Sequence, residues 1–134
     1  PEDLAAAGIE EGWADFVYLN SSLSLFASPA RALRECCRVL VPGGVLLAEV
    51  PVAAPGSVDR AAIVEAARAL PNAVQAAPTF EELLGWLAEA GFSGPTVRCE
   101  RSLSPEEGST PDRPAATVPG DAAAYRLLSL EVAR

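Results

Sequence analysis

The chain has 134 residues, a net charge of −8 and no histidine. The missing histidine rules out a Ser-His-Asp triad, an imidazole base and any zinc site that uses histidine. The acidic balance, with no basic stripe, argues against nucleic acid. No apolar run reaches the roughly 18 residues of a membrane span, and the length suits one small core.

Residues 1–13 read as a loop with one helical turn. Asp15-Phe16-Val17-Tyr18-Leu19-Asn20 reads as a strand that ends in the polar cluster Asn20-Ser21-Ser22. Ser28-Pro29, a hydroxyl cap before a first-turn proline, opens a helix over 29–40. Its Ala32, Leu33, Cys36, Val39 and Leu40 recur at helical spacing and should face a sheet. Pro42 stops the helix, and Gly43 and Gly44 allow positive φ in the reversal. An apolar strand follows over 44–50. Strand, helix, tight turn and strand make a βαβ unit, and such units build parallel sheets. Pro51 to Gly56 reads as a connector. A helix is expected from Ser57 to Leu70, with Ile63, Ala66, Ala67 and Leu70 on one face and Pro71 ending it.

Thr79 with Glu82 three residues on forms a capping box for the next helix. Leu83, Leu84, Trp86 and Leu87 are its apolar residues, and Gly91 closes it. Residues 95–103 alternate as a strand. Residues 104–120, rich in proline and polar residues, are expected to be a mobile loop. Ala123 to Val132 reads as the last strand. Glu35 and Arg38 sit three apart, a surface ion pair contributing about 0.2–0.5 kcal/mol. Trp13 and Trp86 are expected to pack rather than to bind. The three cysteines, Cys36, Cys37 and Cys99, show no Cys-x-x-Cys spacing. Cys36 should be a small buried helix residue, and reduced thiols suit a cytoplasmic protein.

Residues 14–50 together resemble class I S-adenosylmethionine-dependent methyltransferases. The resemblance rests on Asp15 to Asn20, on Ala32-Leu33-Arg34-Glu35, and on Arg38-Val39-Leu40 before Pro42-Gly43-Gly44. A looser resemblance continues through Phe80 to Leu84 and Glu89-Ala90-Gly91-Phe92. The leader Glu2-Asp3-Leu4 to Ile9 is most similar to the arsenite methyltransferase branch. The resemblance implies an α/β fold: a partial Rossmann-like methyltransferase sheet, with a parallel βαβ unit and an antiparallel C-terminal hairpin. No Gly-x-Gly occurs in the chain, so the N-terminal cofactor-binding half is expected to be missing. Residues 1–134 would then be the C-terminal part of a single methyltransferase domain, inactive alone.

The implied function is methyl transfer from S-adenosylmethionine to a small-molecule acceptor. The alternative is a noncatalytic methyltransferase-like subunit that binds a partner. In open α/β sheets ligands bind beyond the carboxyl ends of the strands. By resemblance, Glu2, Asp3, Asn20, Ser21 and Ser22 would contact the cofactor. Ser21, Leu25, Val50 and Pro51 would border the acceptor, and no metal site is implied. The arsenite branch binds trivalent arsenic through cysteine thiolates. Here Ser21 stands where one of those cysteines follows the strand, and residues 71–78 contain none. A hydroxyl is too hard a ligand to replace a soft thiolate for arsenic. A small organic acceptor is therefore expected. The family's first strand, which would pair beside 15–20, is likewise expected to be missing from these residues. Phe16, Val17, Tyr18 and Leu19 should then present an open edge through which the chain self-associates.

Overall fold

The computed structural model describes residues 3–55, 60–69, 72–104 and 125–134. The elements in chain order are β1 (Ala14–Asn20), a 3-10 turn (Leu23–Leu25), α1 (Pro29–Val39) and β2 (Leu40–Ala53). Then come α2 (Arg60–Ala69), α3 (Phe80–Ala90), β3 (Thr96–Leu103) and β4 (Tyr125–Ala133). They form one four-stranded sheet in the order β1-β2-β4-β3. β1 runs parallel to β2, while β4 is antiparallel to both β2 and β3. The sheet is thus a parallel βαβ unit carrying an antiparallel C-terminal hairpin, as expected.

One face of the sheet holds the core. Leu46, Ala48, Val50 and Val52 alternate along β2 and are buried with Leu128, Leu130 and Val132 of β4. Leu33 and Cys36 of α1 and Leu83 and Leu87 of α3 close over them. Strand alternation places the intervening residues on the opposite face. There Phe16 is 63% and Tyr18 54% exposed, beside Val45 and Leu47 of the neighbouring strand. The expected open edge therefore has unlike sides. Val17 and Leu19 pack against the core, and only Phe16 and Tyr18 are bare.

The Pro42-Gly43-Gly44 reversal is a bulge inside β2 rather than a turn before it. The register with β1 jumps from Ala14 opposite Leu40 to Phe16 opposite Val45. Gly43 takes a positive φ of 80°. Gly44 does not, and its requirement is space. A Cβ there would stand 2.9 Å from the Val41 carbonyl oxygen and 3.0 Å from that of Asp15. β2 also runs on to Ala53, past the expected end at residue 50, because β4 pairs with it as far as Tyr125 opposite Ala53. Pro51, expected in a connector, lies within the strand opposite Leu127.

α3 carries the expected capping box. The Glu82 amide donates to the Thr79 hydroxyl, and the Thr79 amide donates to the Glu82 carboxylate. Gly91 closes the helix in the left-handed conformation. The described part of the preceding helix is α2; the expected apolar face of Ile63, Ala66, Ala67 and Leu70 lies outside the described side chains. The loop expected at 104–120 lies, beyond Ser104, outside the described residues as well. Trp86 packs against the core, but Trp13 is 71% exposed, so its expected packing role fails. No helix among the described residues is long and apolar enough to cross a membrane.

Glu35 and Arg38 do more than the surface pair expected of them. Both are half-buried or better, and the Arg38 guanidinium donates to both oxygens of the Glu35 carboxylate. Glu35 also accepts from the backbone amides of Leu4 and Ala5, and Arg38 donates to the Ile9 carbonyl. The pair ties the leader down onto α1. The Arg38 hydrogen bond, with help from the Leu4 and Ala5 amides, holds the Glu35 carboxyl below its ordinary range, against the opposing effect of burial.

Candidate active site at the carboxyl end of the sheet

β1 ends where the parallel pair opens. Ser21 follows with φ 51°, the left-handed conformation that few residues other than glycine adopt, and its amide donates to the Glu49 carbonyl at 2.8 Å. Such a backbone is uncommon for serine and is held here by the strand alongside. The 3-10 turn then carries Leu23 and Ser24 into the interior.

A second wall comes from residues 72–78. Asn72 is fully buried, and its side-chain oxygen accepts from the amides of Val74 and Gln75. The buried Ser24 hydroxyl donates to the Ala73 carbonyl, tying this wall to the segment after β1. The Ala53 amide donates to the Pro78 carbonyl at 2.8 Å, tying it to the end of β2. Val74 and Ala77 pack against Ala53 and Tyr125. Buried polar groups satisfied in this way make a wall of fixed shape.

Between the two walls lies a cavity of about 130 Å³, bordered by Ser21, Pro51, Val74, Arg101 and Leu127. The structure thus brings Ser21 and Pro51 together, two of the residues expected to border an acceptor. Val50 is not with them. It is 1% exposed and points into the core, since neighbouring strand residues face opposite sides. Asn20 is exposed opposite Glu49, while Ser22 and Leu25 are half-buried beyond the strand end. Asp3 lies in the leader, where its carboxylate accepts from the Ala6 amide and stands 3.6 Å from Arg31. Glu2 lies outside the described residues. Sequence reasoning missed the Asn72 wall and Arg101. The Pro71-Asn72 pair was a turn signal for the first. The period of two in residues 95–103 places Arg101 on the face of Leu103.

The thiols stand apart from this cavity. Burial, reinforced by the Glu35 charge, pushes the Cys36 thiol up to about 11, and burial also raises Cys37. Cys36 therefore stays protonated at neutral pH, and only the thiolate is a good soft ligand. Cys99 is exposed on β3. Among the described residues no group of histidine, cysteine or acidic side chains could hold a metal ion.

A family model described as a methyltransferase domain matches residues 2–48. Its span covers the leader, β1, α1 and the start of β2, and of the residues bordering the cavity it includes Ser21. An arsenic(III) S-adenosylmethionine methyltransferase from Chlamydomonas reinhardtii superposes with a TM-score of 0.77 at 20% identity, over 97% of this chain and 40% of that one. The chain carries part of a class I methyltransferase fold. The YcgJ protein of Bacillus subtilis is also similar to this methyltransferase-fold chain, with a TM-score of 0.62 at 13% identity over 92% of this chain and 65% of that one. So is the [4+2]-cyclase SpnF, with a TM-score of 0.56 at 23% identity over 92% of this chain and 50% of that one. The chain therefore spans between 40% and 65% of the length of these structures. A comparison with curated proteins gave no match. At these identities the likeness is one of fold, and one fold hosts different chemistries.

Proposed function

We propose that these residues form the acceptor side of an S-adenosylmethionine-dependent methyltransferase acting on a small organic molecule. The observation that carries this reading is the left-handed Ser21 at the carboxyl end of β1, bordering one cavity with Pro51. A methyltransferase-domain match that ends at residue 48, within β2, supports it.

The residues present fit part of the cofactor's site. Asn20, Ser21 and Ser22 offer backbone and hydroxyl groups at a strand end, where an elongated polar ligand can lie across the sheet. No Gly-x-Gly spacing is available in the 134 residues for the rest of it. When bound, S-adenosylmethionine supplies an activated methyl group on its sulfonium, so the protein's task is alignment and exclusion of water. Ser21 would fix the end of β1 against that group. Pro51, Val74 and Leu127 would give the acceptor an apolar wall, and the buried Asn72 and Ser24 hydrogen bonds would keep the wall from yielding. Leu25, half-buried beyond the strand end, would border the acceptor, and Asp3 would approach the adenine end.

Arsenic is not the substrate favoured by these residues. The neighbour from Chlamydomonas reinhardtii acts on arsenic(III), but here Ser21 offers a hydroxyl and Cys36 a protonated thiol. Calorimetric titration tests the division of the site. The 134-residue chain alone is expected to bind S-adenosylmethionine too weakly for a micromolar constant. Protein made from the whole reading frame that encodes these residues is expected to reach one. Micromolar binding by the chain alone would contradict the division, and its absence from the whole product would contradict the function.

The second reading, a noncatalytic partner subunit, draws on β1 as a terminal strand of the sheet with Phe16 and Tyr18 bare. Such edges template association, and a lysine blunts them. Sedimentation velocity of the chain is expected to show concentration-dependent self-association that Tyr18→Lys reduces. A monomer at every concentration would rule this association out.

A further inference from the structure

The helix α1 has two unlike faces. Leu33 and Cys36 are buried in the core. Arg31, Glu35 and Arg38 recur at spacings of four and three and line another side of the helix. Each of them holds the leader. The Arg31 guanidinium stands 3.6 Å from the Asp3 carboxylate. The Glu35 carboxylate accepts from the Leu4 amide at 2.8 Å and from the Ala5 amide at 3.3 Å. Arg38 donates to the Ile9 carbonyl, and its own carbonyl accepts from the Gly12 amide. The leader therefore lies along about 10 Å of helix, the rise of seven residues.

The direction of α1 decides where the leader begins. β1 and β2 are parallel, so the helix between them runs back from the carboxyl end of the sheet to its amino end. Arg31 lies in the first turn of α1 and Arg38 in the last. The start of the leader is thus carried toward the end of the sheet where Asn20, Ser21 and Ser22 stand, the end where open α/β sheets bind ligands. Glu35 is the strongest of the three holds. It takes two successive amides of the turn that closes from the Ala7 amide onto the Leu4 carbonyl, and two hydrogen bonds from Arg38. The side chains of Glu35 and Arg38 are 17% and 25% exposed, against 53% and 57% for Asp3 and Arg31, so solvent screens this pair less.

We propose that Glu35 is a positioning residue for the methyl donor. By holding Leu4 and Ala5 it keeps the start of the leader at the carboxyl end of the sheet, as a second wall to the donor site at Asn20 to Ser22. Glu35 itself touches no ligand. Binding then draws only on molecules whose leader is docked, and the apparent affinity falls with the docked fraction. The inference rests on the proposed function and adds to it a residue outside the site.

The test uses protein made from the whole reading frame and calorimetric titration with S-adenosylhomocysteine. Glu35→Ala should weaken binding about tenfold, the usual scale for a lost charge-assisted hydrogen bond. Glu35→Gln keeps a carbonyl oxygen for the two amides and loses the charge, so its affinity should lie between those of the parent and the alanine variant. It also serves if the alanine variant fails to fold. Gly43→Ala separates positioning from stability. It strains a left-handed backbone in the β2 bulge, with open space around it. Its affinity should stay within about twofold of the parent, as for an independent site. The coupling must be reciprocal, so saturating ligand should slow hydrogen exchange at the Leu4 and Ala5 amides of the parent. Unchanged affinity in both Glu35 variants, an equal loss in Gly43→Ala, or no slowing in the parent would overturn the proposal. If the parent still binds at micromolar concentration, the function stands without this role; a parent that does not bind removes both.

Discussion

Gly44→Val should be among the most damaging single substitutions in the chain. A Cβ at Gly44 would stand 2.9 Å from the Val41 carbonyl oxygen, 3.0 Å from that of Asp15 and 3.1 Å from a methyl of Leu40. Two of these neighbours are backbone atoms, which cannot swing aside. Leu40 is itself fully buried, so the third neighbour has nowhere to go. Over-packing of this kind costs about 1–3 kcal/mol, and a branched side chain against backbone should reach the top of that range. A marginally stable domain loses much of its margin to such a change. Gly43→Ala provides the comparison. Gly43 has a φ of 80° and open space around it, so only the left-handed backbone penalty of about 1–2 kcal/mol applies. Denaturant midpoints should therefore fall modestly for Gly43→Ala and severely for Gly44→Val. Equal midpoints for Gly44→Val and the parent would show that the bulge can open without cost.

Glu35→Ala is expected to release the leader and to remove an acid-labile part of the stability. The side chain accepts hydrogen bonds from Arg38, Leu4 and Ala5, and its loss should cost about 1–2 kcal/mol. The sign with pH follows from the lowered carboxyl value. Its contribution is fully present above the ordinary value of 4.5 and is lost as pH falls through the lower folded value. Unfolding measured from pH 7 to pH 3 should show the parent losing stability over that window. The variant, weaker at pH 7, should lose less. Hydrogen exchange at the Leu4 and Ala5 amides should accelerate in the variant at pH 7. Parallel pH profiles for the two proteins would contradict this role.

Local signals and tertiary pairings differed in how far the sequence disclosed them. The βαβ unit was legible because Ser28-Pro29, the apolar spacing of α1 and the Pro42-Gly43-Gly44 run all act within a few residues. The Thr79–Glu82 box was legible for the same reason. The end of β2 was not, because Pro51 is held in the strand by Leu127, a partner far along the chain. Gly44 was read only as allowing positive φ, whereas it is constrained by the Asp15 carbonyl, a neighbour only after β1 and β2 pair. Glu35 was given one partner because Leu4 and Ala5 meet it only through the tertiary fold. At the cavity, Ser21 and Pro51 were named from strand ends and the family resemblance, and the structure sets both at one border. Placing Val50 with them overlooked strand alternation, which sets it on the core side with Leu46 and Ala48. Arg101 was invisible for a different reason. Its place beside Pro51 depends on two successive registers, and neither can be read from one strand.

The central claim is that the donor and acceptor meet at the carboxyl end of β1 and β2. Amide shift mapping of the nitrogen-15-labelled chain with millimolar S-adenosylhomocysteine tests it most directly. The expected result is a cluster of shifted amides at Asn20, Ser21, Ser22 and Val52. A competing groove of about 410 Å³ lies at the other end of the strands, bordered by Glu11, Arg34, Arg38, Glu89 and Arg134. Shifts confined to that groove, or no shifts at millimolar ligand, would contradict the claim.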